Sequence, residues 1–182
     1  MTEPSQDIQA FCSDDQPGPG AVLTHPVIIA MLVLWIVNDH LLKDLLANAL
    51  TGKLSDVASL AVFPLIPVTM YEIWCGLRGH EPKYMKPVLL LSLASTGSVM
   101  IGINVSAYWA DAYRVGLGLC QWPFYAIAHF ISGDTLPPTH TVHLTMDPTD
   151  IWTLPSLAIP AWLQLKISAL RETGPQAPDD TV

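Results

Sequence analysis

The chain has 182 residues and a net charge of −8, with 51% hydrophobic and only 13% charged residues. Its mean hydropathy is +0.38. That balance argues against an ordinary water-soluble globule, whose surface needs more charge than this chain supplies. Eight scattered Lys and Arg cannot form the basic stripe that phosphate contacts require, so no nucleic-acid partner is expected. Cys12, Cys75 and Cys120 are odd in number and far apart, which speaks against both a disulfide framework and a zinc cluster.

Residues 1–20 are polar, hold Glu3, Asp7, Asp14 and Asp15, and close on "QPGPG". They read as a flexible acidic tail without the basic-then-apolar order of a cleaved signal peptide. About 20 apolar residues are needed to carry a helix across roughly 30 Å of hydrocarbon. The first such run is 21–37, where His25-Pro26 places a proline in the opening turn, at no cost in donors. The second, 57–77, contains Pro64 and Pro67, each of which removes an internal hydrogen bond and predicts a kink.

The third run, 87–105, carries Ser95, Gly97, Ser98 and Gly102, small residues that let backbones approach and mark it for the centre of a bundle. The fourth, 115–131, has an aromatic group of Trp122, Phe124 and Tyr125 around a kinking Pro123. A fifth, 151–165, is short and broken by Pro155 and Pro160, so it either spans with tilt or lies in the interface between Trp152 and Trp162. Residues 171–182 are poor in core formers and read as a disordered tail.

The expected fold is therefore an all-α polytopic transmembrane bundle of four or five spans over 21–170, kinked by internal prolines. With five spans, Lys43, Lys53, Arg114, Lys166 and Arg171 share one side against Arg78, Lys83 and Lys86, which favours an outside N-terminus and an inside C-terminus.

Ionisable residues crowd into "VLWIVNDHLLKDLLANALTGKLSD", between the first two runs. Asp39 with Lys43 and His40 with Asp44 are four apart, so a continuing helix makes two neighbouring pairs. Gly52 then suits a left-handed terminator and Ser55 a cap for the second span, with Asp56 in its first turn. Caps and ion pairs of this kind are common at a water boundary. The sharper reading turns some of these groups inward, because an ionisable group at membrane depth is a functional-site hypothesis by default.

On that reading Asp56 or His40 is a general base, Lys53 holds a phosphate or developing oxyanion, and Asn38, Lys43 and Ser55 bind substrate. His40, Asp44, Asp56 and Asp150 together form a mixed nitrogen and oxygen set suited to a divalent cation. In the long connection 132–150, Asp147-Pro148 reads as a helix start, Asp150 bonding back. His140 and His143, three apart, read as an exposed extended segment ahead of a metal pair.

The segments "NDHLLK", "LTGKLSD" and "DPTDIWTLPSL" resemble motifs of an uncharacterised family of small bacterial multi-span membrane proteins. The resemblance covers a minority of the chain. It implies a membrane fold and points at Asn38, Asp39, His40, Lys43, Thr51, Lys53, Ser55, Asp56, Asp147 and Asp150, without supplying a reaction; the bacterial inner membrane is the expected location. Three functions compete: an accessory or structural subunit that docks another membrane protein or itself, a hydrolase or transferase acting on a lipid or lipid-linked substrate, and an ion or proton-coupled transport component.

Overall fold

The computed structural model describes residues 17–42 and 49–173, and every regular element among them is helical. In chain order these are α1 (Pro26–Val37), continued by a π-helical turn (Asn38–Leu42), then α2 (Ala49–Val62), α3 (Leu65–Leu77), α4 (Met85–Val105) and α5 (Ala107–Ser132). A 3-10 helix (Pro148–Leu157) leads into α6 (Ala158–Thr173). The chain divides into two compact units: one holds the residues up to 94 and those from 155 onward, the other residues 95–154.

Two helical stretches are long and apolar enough to cross a membrane, Thr51–Leu77 with 27 residues and Met85–Val105 with 21. Half of the first window and only 33% of the second are buried, although the core helix of a soluble protein would be mostly buried. Met70, Trp74, Leu77, Leu90 and Leu91 all point outward. The helix at Pro26–Leu42 is apolar but shorter.

Local chemistry explains the boundaries. His25 caps α1, its Nδ1 accepting from the Val27 backbone N–H at 3.3 Å, and Pro26 occupies the first turn as its sequence context predicts. The expected kink in the second run is a break at Phe63-Pro64; Pro67 falls in the first turn of α3, where a missing N–H costs nothing. The Ser92 hydroxyl donates to the Pro64 carbonyl at 2.6 Å, tying α4 to the break.

Four sequence-based boundaries are corrected. Gly52 and Ser55 lie inside α2 instead of ending one helix and capping the next, because a glycine weakens a helix by only about 1 kcal/mol and the Ser55 hydroxyl has a tertiary partner. Arg114 lies within α5, since the α4–α5 connection shrinks to Ser106, whose Oγ accepts from the Trp109 N–H. Residues 17–20 are held by the fold, and α6 runs on to Thr173. On α4, Gly97 is buried while Ser95 and Ser98 are exposed, so the small-residue face is only partly packed.

In the first unit, α1 packs along α2 and α6 also meets α2. The core joins Val22, Ile28, Val62 and Leu65 to Leu163 and Ile167. Pro160, Leu163, Gln164 and Ile167 form the buried stripe of α6, the i, i+3, i+4, i+7 pattern of one helical face.

In the second unit, residues 134–147 are laid back along α5. The Trp122 Nε1 donates to the Pro137 carbonyl at 2.9 Å, the Tyr125 and His140 rings meet edge to face at 5.0 Å, and the Val142 N–H donates to the Arg114 carbonyl at 3.2 Å. Gly118 makes this possible: any Cβ there would collide with the His140 carbonyl oxygen.

Candidate functional site

Two polar clusters stand at opposite ends of the Thr51–Leu77 stretch in the first unit. The first forms where α1 loosens into its π turn. Asn38, 0% exposed, donates through Nδ2 to the Thr51 carbonyl at 2.6 Å and to Ser55 Oγ at 2.6 Å. Ser55 Oγ in turn donates to Asp39 Oδ1 at 2.5 Å. A π turn admits one extra residue per turn and so lets the adjacent Asn38 and Asp39 both reach α2. The result is a polar clamp between two apolar helices, the arrangement that substitutes for hydrophobic attraction where the surroundings are themselves apolar.

Asn38 and Ser55, expected to bind substrate, are therefore turned into the helix contact. Asn38 retains one unused group, Oδ1, which is buried without a hydrogen-bond partner. His40 does the opposite: it is exposed, and with Asp39 it ends a shallow open cleft on the outer face of α1 lined by Leu32, Trp35 and Ile36. These five residues recur at helical spacing and form one stripe. Lys53 and Asp56, the other two expected catalytic groups, are half-buried on α2. Lys43 and Asp44 lie outside the described residues.

The cation set His40, Asp44, Asp56 and Asp150 includes Asp44, which lies outside the described residues. Among the described residues no group of three His, Cys, Asp or Glu could hold a metal ion, and Asp150 belongs to the second unit. Its neighbourhood is that of a helix start. Asp147 Oδ1 accepts from the Thr149 N–H at 2.9 Å and from the Thr149 hydroxyl at 2.8 Å, with Pro148 in the first helical position, as the sequence predicts. The Asp147 N–H donates to Asn104 Oδ1 at 3.0 Å, fixing the end of the laid-back segment to α4.

The second cluster was missed by the sequence reading. Glu72 on α3 has a side chain only 1% exposed, yet both carboxylate oxygens are satisfied. Oε1 accepts from Arg171 Nη1 at 2.7 Å and from Gln164 Nε2 at 3.0 Å, while Oε2 accepts from the Gly20 N–H at 2.7 Å. Arg171 also donates to the carbonyls of Pro17 at 2.8 Å and Gly18 at 2.7 Å. Gly20 has φ +79°, and a Cβ there would stand 3.1 Å from the Thr69 methyl group, so the strap needs glycine both for its turn and for its approach.

Glu72 was invisible as a site because it is a lone acid inside an apolar run, with its partner 99 residues away. One signal did exist: an ionised carboxylate at that depth needs a cation, and Arg171, seven residues after Gln164 on the same helical face, can supply one.

This ion pair also decides which helix ends meet in the first unit. The five-span expectation set the C-terminus on the side opposite the connection between the second and third runs. Arg171 instead brings the end of α6, and with it Pro17 and Gly18, to the Glu72 end of α3, the end that leads into that connection. Ser55 and Glu72 are 17 residues apart, about 25 Å along a helix, close to the thickness of a hydrocarbon layer.

No family model, no curated protein and no solved structure matches this chain.

Proposed function

We propose that this protein is an integral membrane helical bundle acting as an accessory or structural component, its buried polar groups serving to lock helices to one another. The carrying observation is the division of labour in the first unit. Apolar side chains such as Leu77 (84% exposed) and Leu91 (71%) face outward, while Asn38, Ser55, Glu72 and Gln164 face inward onto partners. Such an inversion suits a chain whose solvent is acyl chain. The inner membrane of a bacterium is the location this reading assigns.

Alkaline carbonate extraction tests it: the protein should stay with the membrane pellet and should aggregate once detergent is withdrawn. A monodisperse species in plain buffer overturns it.

A second reading draws on the outer cleft of α1. His40 and Asp39 sit where an apolar stripe ends, the position from which an acid–base pair would meet a lipid headgroup. Turnover of a lipid-linked substrate lost on His40→Ala, with the fold intact, would favour this reading over the accessory one.

A further inference from the structure

We propose that the turn between α3 and α4 is a docking surface for anionic phospholipid headgroups, and that both ends of the described chain lie on that same leaflet. The inference rests on the membrane reading above.

The turn lies between the two stretches long enough to span. With the first turn of α4 it carries Arg78, Lys83 and Lys86, all exposed, against one acid, Glu81. None of the three basic residues has a carboxylate partner among the described residues, whereas Arg171 is consumed by Glu72 and Arg114 by Asp111 at 2.7 Å. Instead, the Arg78 guanidinium lies 4.2 Å from the centre of the Trp74 ring. Its remaining donors point to the surroundings, and a guanidinium bonds phosphate oxygens in pairs.

Aromatic residues mark the same level. Trp74 is 50% exposed and Tyr84 is 65% exposed, and the Tyr84 N–H donates to the Tyr71 hydroxyl at 3.2 Å, which holds the turn against α3. Indole and phenol rings collect where acyl chains give way to headgroups. Lys86 adds a further mark, since it stands in the first turn of α4, where no acidic residue balances it. A cation at the positive end of a helix dipole is misplaced for the helix alone and well placed for an anion shared between the dipole and the ammonium group.

Among the described residues, the count of cations at the two ends of the first unit points the same way. Arg78, Lys83, Lys86 and Arg171 gather at the Glu72 end, and Lys53 stands at the Ser55 end. Short basic connections face the cytoplasm and its anionic lipids. This reverses the orientation read from the sequence, because the Glu72–Arg171 pair moves the C-terminal cation across.

The test is spin-label EPR on the full chain reconstituted in phosphatidylcholine vesicles with trace spin-labelled phosphatidylglycerol or phosphatidylcholine. The protein-restricted component should prefer phosphatidylglycerol about three- to fivefold, the scale of one engaged basic side chain at a membrane surface. Replacing Arg78, Lys83 and Lys86 together by Gln should bring the ratio to one, while Lys83→Arg with Lys86→Arg should keep it. Equal restriction of both lipids by the parent chain overturns the proposal, as does a preference that survives the triple Gln replacement. Absence of a restricted component with either lipid overturns the membrane reading itself.

Discussion

The two polar clusters at the ends of the Thr51–Leu77 stretch solve the same problem with different chemistry. At the Ser55 end the partners are neighbours in sequence and mostly uncharged: an amide, a hydroxyl and a backbone carbonyl, completed by one half-buried carboxylate. At the Glu72 end a fully buried charge is matched by an arginine 99 residues away and by an N-terminal strap. A mostly uncharged clamp loses about 1–2 kcal/mol if one member is removed, whereas a buried charge becomes a larger liability the moment its partner goes. The first cluster therefore tunes a local helix contact, while the second decides whether residues 17–20 and the end of α6 come together.

The largest expected effect tests that asymmetry. Arg171→Ala should cost about 3–5 kcal/mol by leaving the Glu72 carboxylate buried without its cation, read as a fall in the thermal unfolding midpoint in detergent. It should also expose the strap, so protease cleavage near Pro17 should accelerate. Removing both charges, Glu72→Met with Arg171→Met, should recover most of that loss; if the double variant is as unstable as the single, charge burial is not the origin.

At the other end, Asn38→Ala deletes two buried hydrogen bonds and should cost about 1–2 kcal/mol. Ser55→Ala, tested beside it, should be strongly non-additive with it, since the two share a bond. A double-mutant cycle in denaturant measures this, and simple additivity would mean that the clamp does not act as a unit. The smallest effect belongs to His40→Ala, whose exposed ring should change stability by less than about 0.5 kcal/mol. Loss of a cellular phenotype in a stable His40→Ala protein would move the Ser55 end from scaffold to site.

Much of the helical plan was legible in the residues. His25-Pro26 announced the start of α1, Pro64 the break between α2 and α3, and Asp147-Pro148 the 3-10 start, because each rests on chemistry within four positions. Asn38 and Ser55 were also singled out, but their contact across to the neighbouring helix was not, since spacing alone cannot tell a side chain turned toward a helix from one turned toward a substrate. Gly118 carried no local signal at all; its role is set by a carbonyl that arrives from residue 140.

What the sequence determined by itself was the helical segmentation and the placing of two apolar stretches long enough to cross a membrane, since apolar run length and proline position act locally. The pairing of Glu72 with Arg171, the holding of residues 17–20, and hence which connections share a side were decided only by the tertiary structure. The physical reason is that a buried charge imposes a demand for a counter-charge without naming where along the chain it must come from.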